Sequence, residues 1–314
     1  MGPFVVKRLI SVVLVLFAIS IMTFLIFQAI PSGDPALRMA GRLATPQQVQ
    51  DVRNQWGFDK PIYVQYAKTM QKIDNGSLTT YTQDLNVMDE VRRGLPATLS
   101  LSVGAGIIWL TLGIVFGLLS AMSAGKFLDR ALTVLSLVGV STPVFFLGAL
   151  MLYYLAYKLA LFPLGGYVKL TDSPWGWFTH LLMPWFALSV LFIGVYSRVL
   201  RSTVLDTMNE DFVRAARAKG ISERRVMLRH VLRNSLIPVI SLFGLDFAAV
   251  IGGGAILTES VFGLHGVGQY AAESIARLDV PPVLVITMLG AGAVVVLSAL
   301  LDVVFAVLDP RIRL

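Results

Sequence analysis

Six stretches of this chain are apolar over a length that can cross a hydrocarbon core, which takes about 20 helical residues. They lie near Leu9–Ile30, Ala97–Met122, Ala131–Tyr157, His180–Val199, Ser235–Leu257 and Pro282–Leu308, the last interrupted by Asp302. The fold class they predict is an all-α membrane protein with six transmembrane helices. Composition agrees: 56% of residues are hydrophobic, 14% are charged and the mean hydropathy is +0.74, where a soluble domain carries about a quarter charged residues. With no cysteine, disulfides, thiolate catalysis and Cys-ligated metals are excluded.

The net charge of +7 invites a nucleic-acid reading, but the basic residues fall where a topology rule places them. Six spans put both termini on one side, and 15 of the 26 Lys and Arg lie there, among them Lys7, Arg8, Arg214, Arg217, Lys219, Arg224, Arg225, Arg229 and Arg233. The two short loops opposite hold three, Lys158, Lys169 and Arg277. The excess of positive charge orients both termini toward the cytoplasm, and long loops such as the first external one count little. The first stretch has the basic start of a signal peptide. Its apolar run is too long, however, and Pro31-Ser32-Gly33-Asp34-Pro35 follows in place of a small-x-small cleavage site, so it reads as a retained span.

This divides the chain into residues 1–30, the cytoplasmic N-terminus and first helix; 31–95, an extracytoplasmic subdomain; and 96–314, the transmembrane core. A cytoplasmic loop falls at about 200–234. In the external segment Thr45 caps an expected helix over Pro46–Trp56, with Pro46 at its first position and Gly57 past its end. In the cytoplasmic loop Asn209 can cap a short helix with Glu210 and Asp211 in its first turn, Arg217 and Lys219 in its last and Gly220 beyond. Acids first, bases last and a terminal glycine agree with the helix dipole and a left-handed cap. Ser222 can then cap a second helix running into the fifth span, where Pro238 is expected to kink it.

Phe212-Val213-Arg214-Ala215-Ala216-Arg217-Ala218-Lys219-Gly220, followed by His230, Arg233-Asn234 and Leu236-Ile237-Pro238, resembles the cytoplasmic EAA loop of ABC importer permeases. It is most similar to the A-R-A-K-G version of dipeptide and oligopeptide permeases. Further segments resemble the same family in order along the chain: Arg8-Leu9, Pro31-x-Gly33-Asp34-Pro35, Gly57-Phe58-Asp59-Lys60-Pro61, Leu95-Pro96-Ala97-Thr98, Glu259-Ser260-Val261-Phe262, Gly266-Val267-Gly268 and Leu308-Asp309-Pro310-Arg311. Three features depart from it. The loop's name-giving Glu is Arg214, the stretch from Gly220 to Pro238 is longer than in the general importer pattern, and the external G-D-L-G-x-S appears only as Asn75-Gly76-Ser77-Leu78. These bear on substrate subtype rather than class.

The resemblance implies a type I ABC importer permease fold and a pore-forming subunit of an ATP-driven importer of di- or oligopeptides. It also implies partners: a second homologous permease, two cytoplasmic ATPase subunits or domains, and an extracytoplasmic solute-binding protein, in the bacterial inner membrane. Nickel, glutathione or haem are alternative cargoes of the same permease type. No G-x-x-x-x-G-K-[ST], zinc-protease motif or nucleophile elbow occurs, so this chain is expected to bind no cofactor, with ATP and magnesium held by the partners. An independent secondary transporter using Asp246 as a relay is the other class of reading. Such transporters usually carry an internal repeat, and none is visible. A membrane enzyme lacks any convergent polar constellation.

On the residues alone, the small patch Ala215, Ala216 and Gly220, with Phe212, Arg214 and Lys219, is either a coupling helix for an ATPase groove or a basic segment against lipid headgroups. The resemblance decides for coupling. Asp246, at mid-depth of the fifth span, is costly unless it meets a partner or a watery path. It either lines the path and meets a cationic part of the substrate, or makes an internal or inter-subunit bond. Gly252, Gly253 and Gly254 are expected to permit close packing or a gating break, and Gly113-x-x-x-Gly117 close packing. Asp302 and Asp309 read as structural. His180, His230 and His265 sit on separate segments and give a metal site no support.

Overall fold

The computed structural model describes residues 2–29, 35–41 and 44–308, with side chains over 10–26, 36–37, 39–41, 44–54 and 56–300; Asp302 and Asp309 fall outside the described side chains. The helices in chain order are α1 (Gly2–Ala29), α2 (Pro35–Ala40), α3 (Pro46–Trp56), α4 (Ile62–Asp74), α5 (Val87–Met122), α6 (Phe127–Ser141), α7 (Val144–Met151), α8 (Pro174–Thr207), α9 (Asp211–Ala218), α10 (Glu223–Arg225), α11 (Leu232–Ala249), α12 (Ile256–Phe262), α13 (Val267–Ala276) and α14 (Val280–Leu308). Three π-helical stretches extend them: Leu152–Lys158 after α7, Val226–Val231 between α10 and α11, and Val250–Gly254 after α11.

Among the described residues four helical segments are long and apolar enough to cross a membrane: Val87–Met122, Pro174–Thr207, Glu223–Gly254 and Val280–Leu300. The expected third span is not one straight helix. Phe127–Ser141 and Val144–Lys158 meet at a 97° bend, and counting that pair as one span gives five. Pro143 explains the break: it has no N–H to give, and it drives Thr142 out of the helical region to φ −88°, ψ 120°. α1 is helical over all 28 residues of Gly2–Ala29, and its described apolar side chains run from Ile10 to Ile26. Among the described residues four of the six expected spans, or five with the bent pair, meet the length and hydropathy of a crossing. Several are longer than expected, since α5 starts ten residues earlier than Ala97 and runs through Pro96, and α8 extends beyond Val199 to Thr207.

The chain forms two compact units. The first comprises Met1–Thr98, Ile251–Ile256 and His265–Leu314. In it α3 forms as its sequence dictates: Gln48 N–H donates to Thr45 Oγ1 (3.3 Å), Thr45 N–H donates to Gln48 Oε1 (2.8 Å), and Gly57 ends the helix at φ +74°. This capping box satisfies two otherwise orphaned donors. The described residues between α1 and the apolar part of α5 share a core with the end of the chain. Leu78, Val87 and Val91 pack with Val267, Ala271, Val285 and Ile286 from the end of the chain. Buried Asp279 accepts from Tyr81 N–H (2.9 Å), Thr82 N–H (3.2 Å) and Thr82 Oγ1 (2.8 Å), fixing the turn at Tyr81. Lys72 lies 3.3 Å above the Trp56 ring, and burial, then Lys68, lowers its pKa.

The second unit, Leu99–Val250 with Leu257–Leu264, is organised around α8, which packs against α6, α7 and α11. Glycines set the helix spacing. A Cβ on Gly113 would meet Tyr196 Cβ at 2.6 Å and one on Gly117 would meet Ser197 O at 2.8 Å, so the Gly-x-x-x-Gly pair is a seam between α5 and α8. A Cβ on Gly194 would lie 2.5 Å from Ser136 O, on the side of α8 facing α6. Small residues permit such approach where lipid offers no hydrophobic drive to associate.

Candidate functional site

The loop between α8 and α11 is built by three successive terminations. Beyond Thr207 the chain turns, with Asn209 N–H donating to Asp206 O (3.1 Å) and Glu210 N–H to Thr207 O (3.1 Å). Asn209 is therefore the tail of α8 rather than the cap of α9, and its Nδ2 donates back to Leu205 O (3.0 Å). Glu210 takes the N-cap position, with no side-chain bond, and α9 begins at Asp211. At the other end Gly220 N–H donates to Arg217 O (2.9 Å) and Ile221 N–H to Ala216 O (3.4 Å), with Gly220 at φ +75°. That pair of bonds and the left-handed glycine are a Schellman termination. The next helix starts at Glu223, where expected, but the Ser222 side chain makes no capping bond. Pro238 lies inside α11, and the break comes later, at Gly253.

α9 is two turns long and two-faced. Val213 and Ala216 are buried, and α9 packs on the π-helical stretch that holds buried Val226 and Met227. Phe212, Arg214, Ala215, Ala218, Lys219 and Gly220 are exposed. Ala216, expected on the docking face, is 6% exposed and turned toward this chain's own helix. A small side chain there serves an internal close contact, which sequence alone does not separate from an external one. The glutamate of the next helix ties α9 down: Arg217 Nε and Nη2 donate to Glu223 Oε2 (3.1 Å) and Oε1 (2.6 Å). Those bonds raise the pKa of Arg217 above its usual value.

Asp246 has a partner within the chain. The hydroxyl of fully buried Tyr196 donates to Asp246 Oδ2 at 2.8 Å, beside a cluster in which Trp109 stacks on Phe192 (4.4 Å between centroids) and Phe243 stacks on Phe247 (5.3 Å). The carboxylate is half-buried. Nothing in the sequence pairs residues 196 and 246; the tyrosine is found only when α8 and α11 are side by side.

At Gly252, Gly253 and Gly254 a close helix contact and a break in the helix fall on different residues. Gly253 adopts φ +130°, ψ −3°, outside the helical region, and breaks the helix. Gly252 makes the contact: a Cβ on Gly290 of α14 would lie 2.5 Å from Gly252 O.

One clamp at the inner end of α8 escaped the sequence reading. Arg201 Nε and Nη2 donate to Asp129 Oδ1 (2.7 Å) and Oδ2 (2.8 Å), and the same buried carboxylate accepts from Ser120 Oγ (2.5 Å) and Gly125 N–H (2.9 Å). Asp129 lies two residues before the expected third span, and that shared membrane level with Arg201 is the signal that was available.

Comparison with known proteins places this architecture. Residues 113–314 match the family described as binding-protein-dependent transport system inner membrane component, and residues 1–102 match its N-terminal counterpart. A protein of Sinorhizobium fredii named a probable peptide ABC transporter permease is 34% identical over 314 residues, covering all of both chains. The dipeptide transport system permease protein of Lactococcus lactis is 34% identical over 317 residues, again covering both completely. Among solved structures, the fold is similar to a chain of the MetNI methionine ABC transporter, with a TM-score of 0.55 at 15% identity over 71% of this chain and 97% of that one. The chain belongs to the family of inner membrane components of binding-protein-dependent transport systems, as a multi-pass ABC importer permease.

Proposed function

We propose that this chain is one half of the pore of an ATP-driven importer of short peptides, with both termini in the cytoplasm of a bacterial inner membrane. The observation that carries the coupling role is α9: a short helix fixed on its buried side, presenting Phe212, Arg214, Ala215, Lys219 and Gly220 outward between two membrane-crossing helices. A helix so placed can pass a push from a cytoplasmic ATPase to both α8 and the helix beginning at Glu223. ATP hydrolysis belongs to the partners because this sequence has no P-loop. A second permease and an extracytoplasmic binding protein complete the assembly. The peptide cargo follows from what the relatives are named for.

Asp246 and the break at Gly252, Gly253 and Gly254 belong to the translocation path. Tyr196 occupies one carboxylate oxygen, and among the described residues no partner holds the other, leaving an acceptor for the amino terminus of a peptide. The test is uptake of a labelled dipeptide by cells expressing the complete transporter, with parental chain or Asp246→Asn. Parental cells accumulate the peptide, and the variant, at equal abundance, takes it up at least about tenfold more slowly, as expected when a buried charge loses its opposite. Equal uptake in both removes Asp246 from the path, and no uptake by parental cells removes the peptide reading.

A further inference from the structure

The helix α4 turns polar residues inward and apolar ones outward. Gln65, Lys68, Thr69 and Lys72 stand at i, i+3, i+4 and i+7, one side of a helix, and that side faces the chain. Gln65 Nε2 donates to Phe58 O (3.0 Å) and Lys60 O (2.8 Å), and Lys72 Nζ lies 3.3 Å above the Trp56 ring. Lys68 Nζ reaches over Gly57, where a Cβ would meet it at 2.9 Å. The other side carries Tyr63, Ala67 and Met70, at i, i+4 and i+7. Tyr63 is 71% exposed, Ala67 is exposed, Met70 is half-buried, and Ile62 at the helix start is 44% exposed. Exposed polar residues come only at the two ends, Asp59 and Lys60 before the helix and Gln71 and Asp74 in its last turn. A helix with its outer face in water shows the reverse arrangement.

What covers the apolar side follows from the level at which α4 meets α1. The Tyr66 hydroxyl lies 2.7 Å from Ser20 Oγ, and its ring meets Phe24 edge-on at 5.4 Å between centroids. Both partners lie within the apolar run of α1, which the described side chains carry on to Ile26. From Ser20 to Ile26 is about 9 Å along a helix axis. α4 therefore stands beside the apolar part of α1, not beyond its end. An interfacial helix sinks its apolar side about 5–10 Å into the boundary between headgroups and acyl chains. Tyrosine, with an apolar ring and a polar tip, favours that level, and charged residues at both helix ends suit the headgroups.

We propose that α4 is an interfacial helix, with Tyr63, Ala67 and Met70 against acyl chains of the leaflet that holds the C-terminal end of α1. With the N-terminus in the cytoplasm this is the outer leaflet. The inference rests on α1 crossing the membrane and is independent of the solute carried. It makes residues 62–74 part of the membrane-embedded body rather than of a subdomain standing clear in water.

The chain has no cysteine, so a single introduced cysteine can carry a nitroxide spin label. The complete transporter, with cysteine-free partner subunits and Tyr63→Cys, Ala67→Cys, Phe17→Cys or Gln47→Cys in this chain, is labelled and placed in phosphatidylethanolamine–phosphatidylglycerol vesicles. Power-saturation EPR then measures collision of each label with oxygen, which enters lipid, and with a water-soluble nickel chelate. Labels at 63 and 67 should favour oxygen, at a depth of about 5–10 Å, whereas the label at exposed Gln47 on α3 favours nickel. Either of the two α4 positions reads the property by itself if the other variant folds poorly. Phe17, 55% exposed on α1, tests the footing separately. Oxygen preference at 17 with nickel preference at 63 and 67 overturns the interfacial helix alone. Nickel preference at 17 takes α1 out of the membrane and the inference with it. Labels at 63 and 67 shielded from both reagents show a protein seated on this side of α4 and overturn the inference as well.

Discussion

Two arginine–carboxylate pairs stand at opposite ends of the segment that joins α8 to the next membrane helix, with nearly the same fork geometry and different surroundings. Arg201 grips Asp129 at 2.7 and 2.8 Å, the carboxylate is 6% exposed, and Ser120 and Gly125 complete its coordination. Arg217 grips Glu223 at 3.1 and 2.6 Å, but the carboxylate is 61% exposed. Geometry alone does not rank them; water does. Removing Arg201 from the first pair strands a buried carboxylate, whereas the exposed pair exchanges its partner for water at little cost. The inner end of α8 is thus locked to the start of α6, while α9 is held by a weak tie, one buried strip and a glycine turn.

The largest effect is expected at the lock. Asp129→Asn leaves Arg201, whose side chain is 33% exposed, without its counter-charge, at a cost of about 1–3 kcal/mol. Thermal unfolding of the purified chain in detergent should show the loss, and a melting temperature equal to the parent's would mean the clamp is no more rigid than the weak tie. An intermediate effect is expected at Gly220, where a Cβ meets nothing within 4 Å but φ is +75°. Gly220→Val therefore suffers only the left-handed strain, about 1–2 kcal/mol, and Gly220→Asn, which tolerates that conformation, should keep transport where valine loses it. Equal uptake by the two variants would show that the turn does not aim α9. The smallest effect belongs to Glu223→Gln, at most about 1 kcal/mol, read as a melting temperature that barely moves and moves less in high salt. A loss as large as that of Asp129→Asn would erase the distinction between the two pairs.

Much of this was legible in the chain itself, and the gaps share a cause. Local chemistry read correctly: the Thr45 capping box, the glycine after Lys219 and the Gly113–Gly117 seam depend on neighbours a few residues apart or on a property any partner would demand. What the sequence left open depended on residues far along the chain. Ala216 is buried where α9 packs on the stretch that holds Val226 and Met227, and Asp246, open to either an internal bond or a path, accepts from Tyr196 fifty positions earlier. The bend at Pro143 was hidden because both halves of that span are apolar, so hydrophobicity bridged what geometry broke. Leu78, Val87 and Val91 share a core with Val267, Ala271, Val285 and Ile286, a union of distant apolar residues with no local signature.

The claim at the centre of the account is that the outward side of α9 is where a cytoplasmic ATPase engages this permease. Phe212 tests it most directly, being 42% exposed and the largest apolar side chain on that side. Phe212→Asp adds a charge to a surface already in water, so the permease itself should insert and melt as the parent does. The measurement is the amount of ATPase subunit that co-purifies with the tagged permease from cells expressing the whole transporter. The account predicts that recovery falls at least about tenfold, as for a central interface anchor, with the permease's own yield and melting temperature unchanged. Full ATPase recovery with the aspartate in place would contradict it and leave α9 a helix with no partner on its outer face.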